Sequence, residues 1–181
     1  MYSKLMKVSV LTLLAYLLQA TLAEYISVWD VAPNIALAII AIITVCLGRK
    51  YTFMMALSVG YLLEIMLPMM SYMNLILYPV SAMIGALIFS DKSERRLEEE
   101  RTAGKRTNQL TPYLRGPLCA GVNLWVFEGV NLFYTYLSGV NLDSGHFWRA
   151  VVDVSYSMLI AGVLQFPIRF WMGTHKIKKA R

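Results

Sequence analysis

The sequence predicts an all-α integral membrane protein: a single transmembrane domain over residues 1–181, built as a bundle of six transmembrane helices with N and C termini cytosolic. Three observations carry this. The chain is 57% apolar and only 15% charged, with a mean hydropathy of +0.54, whereas soluble domains run about half apolar and about a quarter charged. The apolar residues gather into runs of about 17 residues or more, the length that crosses a hydrocarbon core. Sixteen of the seventeen Lys and Arg fall on one side of the topology these runs define, which is the cytosolic bias of multi-pass proteins.

Lys4 and Lys7 precede the first span, 5–23. This basic start and apolar run imitate a signal peptide. The run continues into Tyr25 and Ile26 and lacks an Ala-x-Ala site, so a retained helix is expected. A short loop follows with Glu24, Asp30 and the aromatic residues Tyr25 and Trp29, whose rings suit the headgroup level. Pro33 opens the second span, 32–48, where a missing N–H costs nothing. Asn34 is expected to hydrogen-bond at that helix start. Arg49 and Lys50 make a tight basic turn into the third span, 51–67, which carries Gly60 and Glu64. The fourth span, 73–89, contains Pro79, expected to kink it. It also has two small-residue pairs, Ser81/Gly85 and Ala82/Ala86, that allow close helix approach within the bundle. Residues 91–115 are the one long polar segment, a cytosolic connector with Arg95/Glu99 and Arg96/Glu100 at i, i+4. The fifth span is 117–137 and the sixth 147–172, with Pro167 near its end. A basic tail occupies 173–181.

Only Arg149 falls outside the cytosolic set. The net charge of +6 is therefore accounted for by cations facing cytosol and anionic lipid headgroups, each worth about 1 kcal/mol near the surface, and nucleic acid is not required as a partner. Cys46 and Cys119 fit no metal spacing or disulfide framework and read as small packing residues. His146 and His175 lie on opposite sides of the membrane and cannot share a metal. There is no Gly-rich phosphate loop, and no Ser, His and acid set at a common height. The expectation is a protein without catalytic activity, cofactor or metal.

Three carboxylates fall inside predicted spans: Glu64, Glu128 and Asp153. A charge at mid-bilayer costs at least about 2.5–3.5 kcal/mol, so such groups face protein or water. At 1.5 Å per residue, Glu64 stands about 21 Å above the basic turn, in the outer half, and Glu128 stands at a similar height above Arg115. Asp153 lies one turn from Arg149, near the outer surface. The common height suggests an outward-facing polar patch. Each acid also has a packing explanation. Asp153 can pair with Arg149, and Glu128 can bond to Asn123, Asn131 or a backbone carbonyl. Glu64, with no cation near it in sequence, is the hardest to explain that way.

The run LLQATLAEYISVWDVAPNIAL resembles the first loop of the rod shape-determining protein MreD family, where Leu-Gln-x-Thr-Leu leads to a Pro-Asp pair opening the second helix; here the pair is Pro33-Asn34. GRKYTFMMALSVGYLLEIM is similar to that family's basic turn and the Gly-x-x-x-acid run after it. Gly60 and Glu64 fall on that run, with Glu where the family usually has Asp. The closing helix, with Arg169 after an aliphatic and aromatic run, is also similar. The resemblance covers most of the chain, through short motifs. It implies a non-enzymatic, multi-pass protein of the bacterial cytoplasmic (inner) membrane, acting in cell elongation and peptidoglycan synthesis. The partners it implies are an MreC-like bitopic protein, the peptidoglycan synthases and, indirectly, the MreB filament. On this reading the patch of Gly60, Glu64, Pro33, Asn34, Glu128 and Asp153 meets a partner helix or its extracellular coil.

The competing class is the substrate-binding subunit of an energy-coupling-factor vitamin transporter, also a six-helix protein of similar length. The patch would then be a vitamin pocket. Such a subunit should carry an Ala-x-x-x-Ala face on its first helix, and Ala15, Ala20 and Ala23 miss that spacing. A membrane scaffold of unrelated role is the third class.

Overall fold

The most apolar stretch of the chain, IALAIIAIITVCL, has no charged residue on any face. A helix that is apolar all round requires neighbours on every side. It forms the central helix of the computed structural model, which describes residues 2–66, 72–89 and 111–173. Among these the chain forms six α-helices and no strand. They are α1 (Tyr2–Leu17), α2 (Ile35–Leu47), α3 (Arg49–Met66), α4 (Met73–Phe89), α5 (Pro112–Leu137) and α6 (Ser144–Met172), and a π-helical turn, Leu18–Leu22, extends α1. Every residue of α2 from Ile35 to Thr44 is buried, and all five other helices pack against it.

The outer faces of the surrounding helices carry large apolar side chains, among them Leu13, Ile76, Ile88, Phe133, Leu159 and Phe170. Large apolar side chains thus stand both in the core, where Leu37, Ile39, Ile40, Ile42 and Ile43 are fully buried, and on the surface of the surrounding helices; an exposed apolar surface of this extent marks a face that meets lipid or another protein. Two stretches, Lys4–Leu22 and Ser144–Met172, are long and apolar enough to cross a membrane, and α2 and α4 are shorter apolar helices.

Successive helices run antiparallel, and the two ends of the bundle differ in charge. At one end, cations satisfy the last carbonyls of helices, where the macrodipole favours positive charge. Lys7 Nζ donates to the Trp171 carbonyl at 2.8 Å, bringing the start of α1 to the end of α6. Arg49 donates to the Ala86 and Leu87 carbonyls at 3.3 and 3.4 Å, and Arg115 to that of Phe89 at 3.2 Å. At the opposite end lie Asp30, Glu64, Glu128, Asp143 and Asp153. There the α1–α2 connection makes a tight turn with Trp29 and Asp30 both at positive φ. Val28 and Val31 exchange backbone bonds across the turn at 3.0 Å. Trp29 packs on Trp148 with ring centroids 6.3 Å apart.

Several boundaries differ from those drawn by hydropathy, each for a local reason. Helix α2 begins at Ile35, after Pro33, because Asn34 is its N-cap: the Asn34 side chain accepts from Leu37 N–H. Pro33 therefore precedes the cap and is not the first helical residue. Helix α3 begins at Arg49 itself, since Gly48 at φ +83° lets the chain reverse without a loop. Helix α5 starts at Pro112, five residues ahead of the apolar run, and takes in Arg115 and Pro117. Helix α6 starts at Ser144 through a capping box of Asp143 and His146, so His146 belongs to the helix and not to the loop. The connector up to residue 110, with its two Arg/Glu pairs, lies outside the described residues, as do Pro68, His175 and the tail beyond Gly173.

Candidate functional site

A helix start leaves its first N–H groups without partners. At the start of α2 these groups are buried, from Pro33 and Asn34 onward. Each one has a named acceptor. Asn34 N–H donates to Ser157 Oγ at 2.8 Å and to Asp153 Oδ1 at 3.3 Å. Ile35 N–H donates to the Pro33 carbonyl at 3.1 Å. Ala36 N–H donates to Gln19 Oε1 at 3.1 Å, and Leu37 N–H to Asn34 Oδ1 at 3.0 Å. The first regular helical bond, from Ala38 N–H to the Asn34 carbonyl, takes over at 3.2 Å.

The non-local acceptors come from two other parts of the chain, the π-helical turn and α6. Ser157 Oγ–H donates to Asp153 Oδ1 at 2.9 Å. Gln19, in the π-helical turn after α1, also donates from Nε2 to the Pro33 carbonyl at 3.4 Å. Tyr78 of α4 donates its hydroxyl to Asn34 Oδ1 at 3.3 Å and packs edge-on against Phe127 of α5. Glu128 of α5 stands close enough to Asp153 and Asn131 to interact with both. The carboxylate of Asp153, only 6% exposed, also faces the positive end of the α2 macrodipole. Arg149 is exposed and donates to the Asp30 carbonyl at 3.5 Å. Asp153 is therefore held by α2 and Ser157 and not by the cation one turn away.

Glu64 stands beside this cluster with a task of its own. Its Oε1 accepts from Tyr72 N–H at 2.7 Å and its Oε2 from Asn74 N–H at 2.9 Å. Both carboxylate oxygens thus cap the opening of α4, and Glu64 is not the solitary acid that its sequence neighbourhood suggests. One turn earlier, Gly60 lets α4 come close: a Cβ at that position would sit 2.7 Å from the Asn74 carbonyl oxygen and 3.3 Å from Tyr78 Cβ.

The six residues singled out from sequence form two groups. Gly60 and Glu64 make the α3–α4 joint. Pro33, Asn34, Glu128 and Asp153 belong to the α2 start. Tyr78 touches both groups, with its Cβ against Gly60 and its hydroxyl on Asn34. Tyr78, Ser157 and Gln19 escaped the sequence reading because an uncharged polar residue in a span gives no sign of which side chain or backbone group it will meet 44 or 123 positions away.

Deeper along α5, Asn123 is fully buried, and among the described residues neither its amide nitrogen nor its oxygen has a hydrogen-bond partner. Its side chain fills the notch left by Gly85, where any Cβ would collide with Asn123 Oδ1. Ser81, Ala82, Gly85 and Ala86 are all buried, so this small-residue face of α4 packs inside the bundle. Below it Thr52 Oγ1–H donates to Thr44 Oγ1 at 3.1 Å. Cys46 and Cys119 form no disulfide among the described residues.

Chemically, the cluster offers carboxyl, hydroxyl and amide groups engaged with backbone. Among the described residues no three His, Cys, Asp or Glu come close enough to hold a metal. No family model, curated protein or solved structure matches the chain.

Proposed function

We propose that this chain is a six-span, non-enzymatic component of the bacterial cell-elongation machinery, placed in the cytoplasmic membrane with both termini in the cytosol. In that orientation the end bearing Lys7, Arg49 and Arg115 faces inward, in keeping with the distribution of cations along the sequence. The short α2 is compatible with spanning. Non-helical backbone at membrane depth is tolerated where protein groups satisfy it, and the N–H groups around Asn34 all have acceptors.

The observation that carries the reading is the meeting of the two motifs that resemble the MreD family. Pro33-Asn34 and Gly60…Glu64, far apart in sequence, come together through Tyr78 at the acidic end of the bundle. Around Glu64 the α3–α4 end exposes Tyr61, Ile65, Tyr72 and Ile76, an apolar and aromatic rim of the kind that anchors interfaces. On this reading the rim receives an MreC-like bitopic protein, and the peptidoglycan synthases join through the same assembly.

Depletion of the protein in the rod-shaped host that encodes it should give round cells, and a tagged copy should co-purify a bitopic coiled-coil partner. Replacing Tyr72 and Ile76 by Ser should abolish co-purification while the bundle still folds. Unchanged cell shape on depletion, with a vitamin that stabilises the purified protein by several degrees, would instead make it a transporter subunit.

A further inference from the structure

Helix α1 lies at the edge of the bundle against α3, and between the two runs a groove of about 110 Å³. Its walls include Leu5, Ser9 and Thr12 of α1 and Tyr51, Met54 and Ser58 of α3. Thr12 and Ser58 turn their hydroxyls onto the Val8 and Met54 carbonyls of their own helices, at 2.9 Å each. Two of the groove's hydroxyls therefore ask nothing of an occupant, and most of the remaining wall is apolar. Leu5 and Met54 are exposed at its edge, so the groove opens to the surroundings of the bundle.

One end of the groove coincides with the cation end. Lys4 directly precedes Leu5, Lys50 directly precedes Tyr51, and both lysines are exposed. Lys7 and Arg49, their neighbours, already cap helix ends. The feature thus combines a mostly apolar slot between two helices with two exposed lysines, each one residue from a wall residue at the cation end. Ser9, also exposed, sits about one turn further in, where its hydroxyl can donate to an ester carbonyl.

We propose that the α1–α3 groove binds an anionic phospholipid of the cytosolic leaflet, one acyl chain in the slot and the headgroup phosphate between Lys4 and Lys50. Charge complementarity selects this occupant. A basic mouth on the cytosolic side attracts anionic headgroups, whereas a neutral transmembrane helix would gain nothing from the two lysines. The proposal rests on the orientation given above, in which the cation end faces the cytosol.

The test is native mass spectrometry of the detergent-solubilised full chain with phosphatidylglycerol or phosphatidylcholine of identical acyl chains. Phosphatidylglycerol adducts should persist at collision energies that strip phosphatidylcholine. The double variant Lys4→Gln, Lys50→Gln should lower phosphatidylglycerol retention about tenfold, and Lys4→Arg, Lys50→Arg should keep it. Ser9→Phe, which fills the slot and leaves the cations, should also lose the adduct. Equal retention of the two lipids, or retention unchanged in the Gln variant, would overturn the site. So would a lipid-free dimer that Ser9→Phe abolishes, since the occupant would then be a second copy of the chain. Labelling of a Lys50→Cys variant from the cell exterior would overturn the orientation itself. Cytosolic labelling without lipid preference would sink the groove proposal alone.

Discussion

Asp153 shows how a buried acid can serve structure in place of chemistry. It accepts from Asn34 N–H and from Ser157 Oγ–H, so truncating it removes the acceptor of the buried Ser157 hydroxyl and leaves Asn34 N–H on Ser157 Oγ alone. Asp153→Ala should destabilise the protein by about 1–3 kcal/mol, the cost of unpaired buried donors. Asp153→Asn, which keeps an acceptor oxygen, should cost less. Thermal unfolding in detergent measures both, and equal losses would mean that the charge, not the hydrogen bonds, holds α2. The acids themselves were legible, since carboxylates in apolar runs stand out at once. Their partners were not. Sequence spacing offered Arg149 to Asp153, but the side chain turns inward, where it accepts from the Ser157 hydroxyl and the Asn34 amide, while Arg149 reaches solvent and the Asp30 carbonyl. For Glu64 the missing cation was the wrong thing to look for, as backbone N–H groups eight and ten residues on occupy both its oxygens.

The helices make two further tests possible. Glu64 caps α4 from the end of α3, so Glu64→Ala should fray the first turn of α4 at a cost of about 0.5–2 kcal/mol, the range for lost N-caps. Hydrogen exchange should show the Tyr72 and Asn74 amides losing protection while the core of α2 stays protected. Between α4 and α5, Gly85→Ala forces a Cβ onto Asn123 Oδ1 and should cost about 1–3 kcal/mol, as overpacking does. Adding Asn123→Ala should recover part of that loss, and a double-mutant cycle measures the coupling; strictly additive effects would contradict the packed notch. Helix identities were readable from the apolar runs, but their ends depended on side chains. The Asn34 cap, the Gly48 reversal and the Asp143–His146 box each moved a boundary that hydropathy averages over. The π-helical turn that holds Gln19 left no sign in composition at all.

The all-helical class was legible in the long apolar runs and the spacing of the polar punctuation between them. The placement of α2 at the centre could also have been inferred, because only a helix surrounded on every side can be apolar on every face. What the sequence could not supply was the grouping of polar residues, since four helices had to be packed before Gln19, Asn34, Tyr78, Asp153 and Ser157 came together around one helix start. The molecule is an all-helical bundle with cations at one end, acids toward the other and a buried helix start held by side chains from around it, and the orientation we propose puts the cationic end in the cytosol. Site-directed labelling tests this most directly. In a Cys46→Ala, Cys119→Ala background, single cysteines at Ser144 and at Lys50 would be treated in intact spheroplasts with a membrane-impermeant maleimide. The account predicts that Ser144→Cys labels at once and Lys50→Cys only after permeabilisation. The opposite pattern, or labelling of both in sealed cells, would contradict it.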